Sequence, residues 1–233
     1  MPDRRHSGLR RTSLGKSLFL AGLLGLGLAA CSSAPPAPDW QMGAKGSLER
    51  STEAGLRGDS AIEAVEFSRA RTEVASTGRA DWVARVELVR CAARVASLDV
   101  APCTGFEALA SEAADAERAY AGYLAGTAGA TDVALLPKVH QPLVLATGAG
   151  SDALLSKVDD PLSRLVAAGV LLRRGEATPG TVQQAVDTAS AMGWRKPLLA
   201  WLGVAQERAR SAGADDEVAR LQRRIDLVAP PPR

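Results

Sequence analysis

Apolar residues recur at intervals of three and four along most of this chain, and they almost never alternate over a useful length. That spacing marks amphipathic helices, not half-buried strands. The pattern therefore predicts an all-α body. A first helix is expected over about 47–57, stopping at Gly58. Ser60-Ala61-Ile62-Glu63 has capping-box spacing, in which a hydroxyl oxygen accepts from an orphan amide and a glutamate reaches back. It predicts a second helix running to about Ser76. A third, over about 79–98, carries two apolar stripes: Ala84, Leu88, Cys91, Val95 and Leu98, and Trp82, Val86, Val89, Ala93 and Ala96. Two stripes make a wide buried face, which places this helix at the centre. Thr104-Gly105-Phe106-Glu107 repeats the capping-box spacing before a fourth helix carrying Phe106, Leu109, Ala113, Ala116, Tyr120 and Tyr123, ended by Gly126.

Residues 127–158 break this rhythm with Pro137, Pro142 and the stretch Thr147-Gly148-Ala149-Gly150; the segment is expected to join an N-terminal half (47–126) to a C-terminal half (159–229), with Gly148-Ala149-Gly150 as a flexible hinge. In the second half, Asp160-Pro161 and Thr178-Pro179 each set a capping side chain before a proline at the first helical position. They predict helices over about 160–174 and 179–192, followed by one opening at Pro197 and closing at Gly213, and one opening at Asp215 with Val218, Leu221, Ile225 and Val228 on one face. The starts near 160 and 197, and near 178 and 215, both recur after 37 residues. That period resembles the tetratricopeptide-like family of helical hairpins. The family's Trp, Leu-Gly, Tyr and Pro positions do not fall in register, although Leu202-Gly203 is present. The expected architecture is one of antiparallel helical hairpins, forming either a short solenoid of this kind or an irregular bundle.

The N-terminus has a different pattern. Arg4, Arg5, Arg10, Arg11 and Lys16 precede an apolar run from Leu18 to Ala30. Thirteen residues suit a signal peptide and fall short of the ~20 that a membrane-spanning helix needs. The run ends in Leu28-Ala29-Ala30-Cys31, which resembles the lipobox of bacterial lipoproteins. The resemblance implies that residues 1–30 are removed and that Cys31 becomes an acylated first residue, with Ser32 after it pointing to the outer membrane. Two or more acyl chains hold a protein stably to a bilayer. Arg10-Arg11-Thr12-Ser13-Leu14 also resembles a twin-arginine signal but departs from it at Ser13 and Gly15, so the general secretory route is expected. Residues 31–46, with Pro35, Pro36 and Pro38, are expected to form a tether, and 230–233 a short tail.

Removal of 1–30 changes the electrostatics and the cysteine count. Five bases and one acid leave with it, out of 28 and 26, so 23 bases face 25 acids and the net charge changes from +2 to near −2. No nucleic-acid partner is implied. With Cys31 consumed by lipid, Cys91 and Cys103 remain in an oxidising periplasm, where an even pair is expected to form a disulfide.

Candidate chemistry is sparse. His140 is the one histidine after Cys31, it lies between two prolines, and it reads as a loop residue with no companion for a metal site or a triad. Ser13-Leu14-Gly15-Lys16 has the Ser-x-x-Lys spacing of penicillin-recognising enzymes but lies in the discarded segment. Asp159-Asp160 and Asp215-Asp216 fall where helix caps are needed. Trp40, Trp194 and Trp201 are the candidate partner or ligand contacts, with a pocket expected near Trp194, Trp201 and the 127–158 join. No catalytic residue, metal or cofactor is expected. The sequence points to a lipid-anchored, periplasm-facing, non-catalytic protein, either an interaction scaffold in the envelope or a binder of a small molecule, lipid or cell-wall fragment. A cell-wall hydrolase is the remaining class.

Overall fold

The computed structural model describes residues 38–229, which form helices joined by turns and short irregular stretches, with no strand among them. The signal segment 1–30, Cys31 and the tail 230–233 lie outside the described residues. So does the proline-rich start of the expected tether, through Ala37.

That tether is shorter than its expected extent to 46, because the first helix, α1 (Asp39–Arg57), begins directly after Pro38. Gly43 and Gly46 weaken the local signal by about 1 kcal/mol each. Packing outweighs them: Ala44, Ser47, Ser51, Ala54 and Leu56 are buried, and Trp40 rests on Trp82. Helix α1 stops at Gly58, whose φ of 90° suits a left-handed cap. Helix α2 (Ser60–Ala75) starts as expected, but without the capping box. Ser60 is already helical, and Glu63 binds Arg90 on the neighbouring helix. A charge-assisted bond to a guanidinium outcompetes a bond to a backbone amide.

Helix α3 (Ala80–Ala96) is the hub, packing against α1, α2, α4, α5 and α7. After it the chain reverses, and Cys91 and Cys103 are joined, with their Cα atoms 5.9 Å apart. A closed loop of this length contributes ~3 kcal/mol in the chain-entropy model. The single helix expected behind Thr104 is two: α4 (Thr104–Glu107) and α5 (Asp115–Ala125), separated by turns and by an extended Ala114. The second capping box is also absent. Alanine-rich sequence supplies helix propensity through this region, but packing of the buried Phe106 and Ala113 decides where the helix stops.

Within residues 127–158 the stretch Gly148-Ala149-Gly150 is the start of a helix and not a flexible hinge. Two short 3₁₀ turns (Val133–Leu135 and Gln141–Leu143) lead into α6 (Gly148–Leu155), which the Gly-rich stretch opens. Leu136, Leu143, Val144, Leu155 and Val158 are buried in the same cluster as Leu88 and Leu202, so the segment is a packed strap between the two halves.

Four helices complete the fold: α7 (Pro161–Arg173), α8 (Pro179–Ala191), α9 (Arg195–Ser211) and α10 (Asp215–Val228). The expected caps form. Asp160 accepts from the Ser163 amide at 2.7 Å, and Thr178 and Thr181 make a reciprocal box. Helix α9 starts two residues before Pro197, because the proline occupies the third helical position, where its missing N–H costs nothing. Helix starts therefore recur after 34 and 36 residues instead of 37. Each of these helices packs on the next, and α7 also packs on α3. Gly169 permits that crossing, since a Cβ there would lie 2.5 Å from the Val95 carbonyl oxygen. A smaller apolar cluster holds α1, α2 and α3 together through Ala44, Phe67, Ala70, Val74, Val83 and Val86.

Candidate functional site

Where the C-terminal half of α1, the first turn of α2, the end of α3 and the start of α9 meet, they leave a cleft of about 350 Å³. Ser51 on α1 is buried and its hydroxyl donates to the Glu63 carbonyl at 3.0 Å, fastening α1 to α2. Arg90 and Arg94 sit one turn apart on α3, so both side chains reach the same wall. Arg90 donates to both Glu63 carboxylate oxygens, at 2.7 and 3.2 Å, with its guanidinium 4.3 Å above the Phe67 ring centre. Arg94 clamps Asp99 at 2.9 and 3.1 Å and also donates to the Pro102 carbonyl at 3.3 Å. Hydrogen bonds from Arg94, then the Ala101 amide and the nearby charges of Arg94 and Lys196, hold the Asp99 carboxyl below the usual carboxylate range. Ser97, only 7% exposed, lines the floor, and Lys196 lines the α9 side. Three cations and two carboxylates thus face the cleft, an environment for a compact polar or anionic group.

A second cleft, of about 420 Å³, lies between α3, α5 and the first 3₁₀ turn. Leu88, Val89, Tyr120, Leu135 and Leu136 make it largely apolar. Arg85 and Glu117 close one side as an ion pair, with Arg85 Nε donating at 2.9 Å. Behind it, Tyr120 and Tyr123 flank His140, with ring centres 5.9 and 4.8 Å from the imidazole. The Tyr123 hydroxyl is 3.2 Å from His140 Nδ1. Burial pushes the His140 pKa down to about 4, against the opposing influence of Asp160, and pushes both tyrosine hydroxyls up. His140 is therefore neutral and only 2% exposed; it lies in a turn, as its flanking prolines lead one to expect, but that turn is packed into the core.

The candidate contact residues separate into two kinds. Trp194 and Trp201 are core residues, 5% and 0% exposed. Their indole N–H groups are used internally: Trp194 donates to Glu53 at 3.0 Å and Trp201 to the Ala96 carbonyl at 3.1 Å. They pin α9 to α1 and α3, and they fill the place where a pocket was expected. Trp40 is half-buried, its ring centre 5.1 Å from that of Trp82. Asp160 serves as a cap. Sequence reasoning missed the Arg90–Arg94–Lys196 cleft, because arginines four apart on a helix look like an ordinary solvated face. Among the described residues no group of three or more His, Cys, Asp or Glu is placed to hold a metal ion.

No protein family, curated protein or solved structure matches the chain.

Proposed function

We propose that the protein is a lipid-anchored component of the bacterial envelope, facing the periplasm, that works by interaction and not by catalysis. The address rests on Leu28-Ala29-Ala30-Cys31 and Ser32 at the end of the signal-like segment. The observation that carries the non-catalytic reading is how the ionisable groups around both clefts are employed. Glu63, Asp99 and Glu117 are each engaged by an arginine, and His140 is bonded to Tyr123 inside the core. A general base needs a lone pair within reach of substrate, and here arginines or the core hold one or both acceptor atoms of each group. Crosslinking and mass spectrometry of the acylated protein in its native envelope should recover a reproducible protein neighbour. Recovery of none would remove the scaffold reading.

The polar cleft favours a second reading, a binding module for a small anionic or polar envelope molecule. Lys196 and Ser97 offer it a charge and a hydroxyl. Envelope extracts should then raise the melting temperature of the wild type and leave that of Lys196→Gln with Ser97→Ala unchanged. An equal shift in both would place any binding elsewhere.

A further inference from the structure

We propose that one end of the molecule, formed by the first turn of α1 and the α2–α3 turn, rests on the lipid surface, with Trp40 and Trp82 at the headgroup level. This deepens the anchoring reading and depends on it. Helices α1, α2 and α3 run alternately, so the start of α1, the end of α2 and the start of α3 share one end: Gly43 lies against Glu73, and Trp40 against Trp82. At this end the Trp40 and Trp82 rings tilt together with centres 5.1 Å apart, and the Arg79 guanidinium lies 4.1 Å above Trp82. Met42, in the same first turn, is 55% exposed.

The indole N–H groups separate these tryptophans from the other two. Trp194 and Trp201 donate inside the protein, whereas among the described residues Trp40 and Trp82 have no hydrogen-bond partner. An indole packed on protein whose N–H finds no partner there suits the membrane interface, where one side is apolar and the other wet. Arg79 is itself paired with Asp81, at 3.2 and 2.6 Å, so its charge is offset and the contact rests on the two indoles.

The length of chain leading to α1 supplies the occupant. Eight chain steps separate Cys31 from Asp39, and eight residues span at most about 28 Å. A globule of about 190 residues is ~40 Å across. An acylated Cys31 therefore excludes the inverted orientation, in which the α1 start would stand ~40 Å above the bilayer, beyond the reach of that segment. Helix α1 rises about 1.5 Å per residue, which puts the Ser51–Gly58 wall of the polar cleft roughly 17–27 Å farther along the axis. The cleft then opens away from the lipid, toward the aqueous compartment.

The test uses the acylated full chain with vesicles of phosphatidylethanolamine and phosphatidylglycerol, some carrying bromine on their acyl chains. Flotation reads anchoring, and quenching of tryptophan emission by the brominated lipid reads contact. The wild type should float and lose emission approaching the share that Trp40 and Trp82 carry. Trp40→Phe with Trp82→Phe should float and lose little, because Trp194 and Trp201 are buried; its helical circular dichroism reports folding, and Trp82→Phe alone gives an intermediate loss. Wild-type protein that floats without quenching would overturn the docking while leaving the anchor standing. Wild-type protein that does not float would overturn both.

Discussion

His140 shows how far a residue's setting can depart from its sequence neighbourhood. Two flanking prolines suggest a surface loop, yet the imidazole is buried in a three-ring cluster with Tyr120 and Tyr123. In the unfolded chain it takes up a proton near pH 6.5, and in the folded protein only near 4. Between those values the unfolded state binds more protons, so stability falls as pH drops through that window and levels off below it. The full difference is on the order of 3 kcal/mol. Urea unfolding midpoints should fall between pH 7 and 5 in the wild type and fall less in His140→Phe; parallel curves would sink this account. Gly169 works by absence. Adding a methyl group against the Val95 carbonyl, a backbone atom that cannot swing aside, should cost about 1–3 kcal/mol. Urea titration of Gly169→Ala reads it, and an unchanged midpoint would mean that α3 and α7 can separate freely. Neither constraint is visible in the sequence, because the partners lie 17 and 74 residues away.

At the scale of elements, starts set by local chemistry were legible and starts set by packing were not. Asp160-Pro161 and Thr178-Pro179 combine an accepting oxygen with a fixed φ, and α7 and α8 begin there. Asp160→Ala should cost about 1 kcal/mol, seen as a lower thermal midpoint, while Asp159→Ala, one residue outside the cap, should not. Equal effects would assign the loss to charge instead of capping. The Ser60–Glu63 box fails because a side chain takes the stronger partner that the fold brings near, as Glu63 takes Arg90; nothing in the structure explains the absence of the Thr104–Glu107 box. Propensity likewise misplaced the start of α1 and the break before α5. Glycines weakened one signal, alanines smoothed over the other, and burial of Ala44 and Phe106 decided both.

For the whole molecule, the separation between the tryptophan end and the polar cleft gives the body a direction. If Cys31 carries the anchor, Cys31→Ala should move the protein from the membrane fraction to the soluble periplasmic fraction with its helical circular dichroism unchanged. Continued membrane association would point to another means of attachment, since no helix among the described residues is long and apolar enough to cross a bilayer. The all-α class, the central helix 79–98, the Cys91–Cys103 bond and the caps of α7 and α8 were determined by the sequence alone. Each follows from periodicity, side-chain chemistry or the count of a few residues, all of which are local or additive. Only the tertiary structure decided that 127–158 is a strap in the core, that Trp194 and Trp201 are internal pins, and that Arg90, Arg94 and Lys196 share a cleft. Those facts depend on which faces meet across long sequence separations, and many arrangements of amphipathic helices satisfy the same apolar pattern until packing selects one.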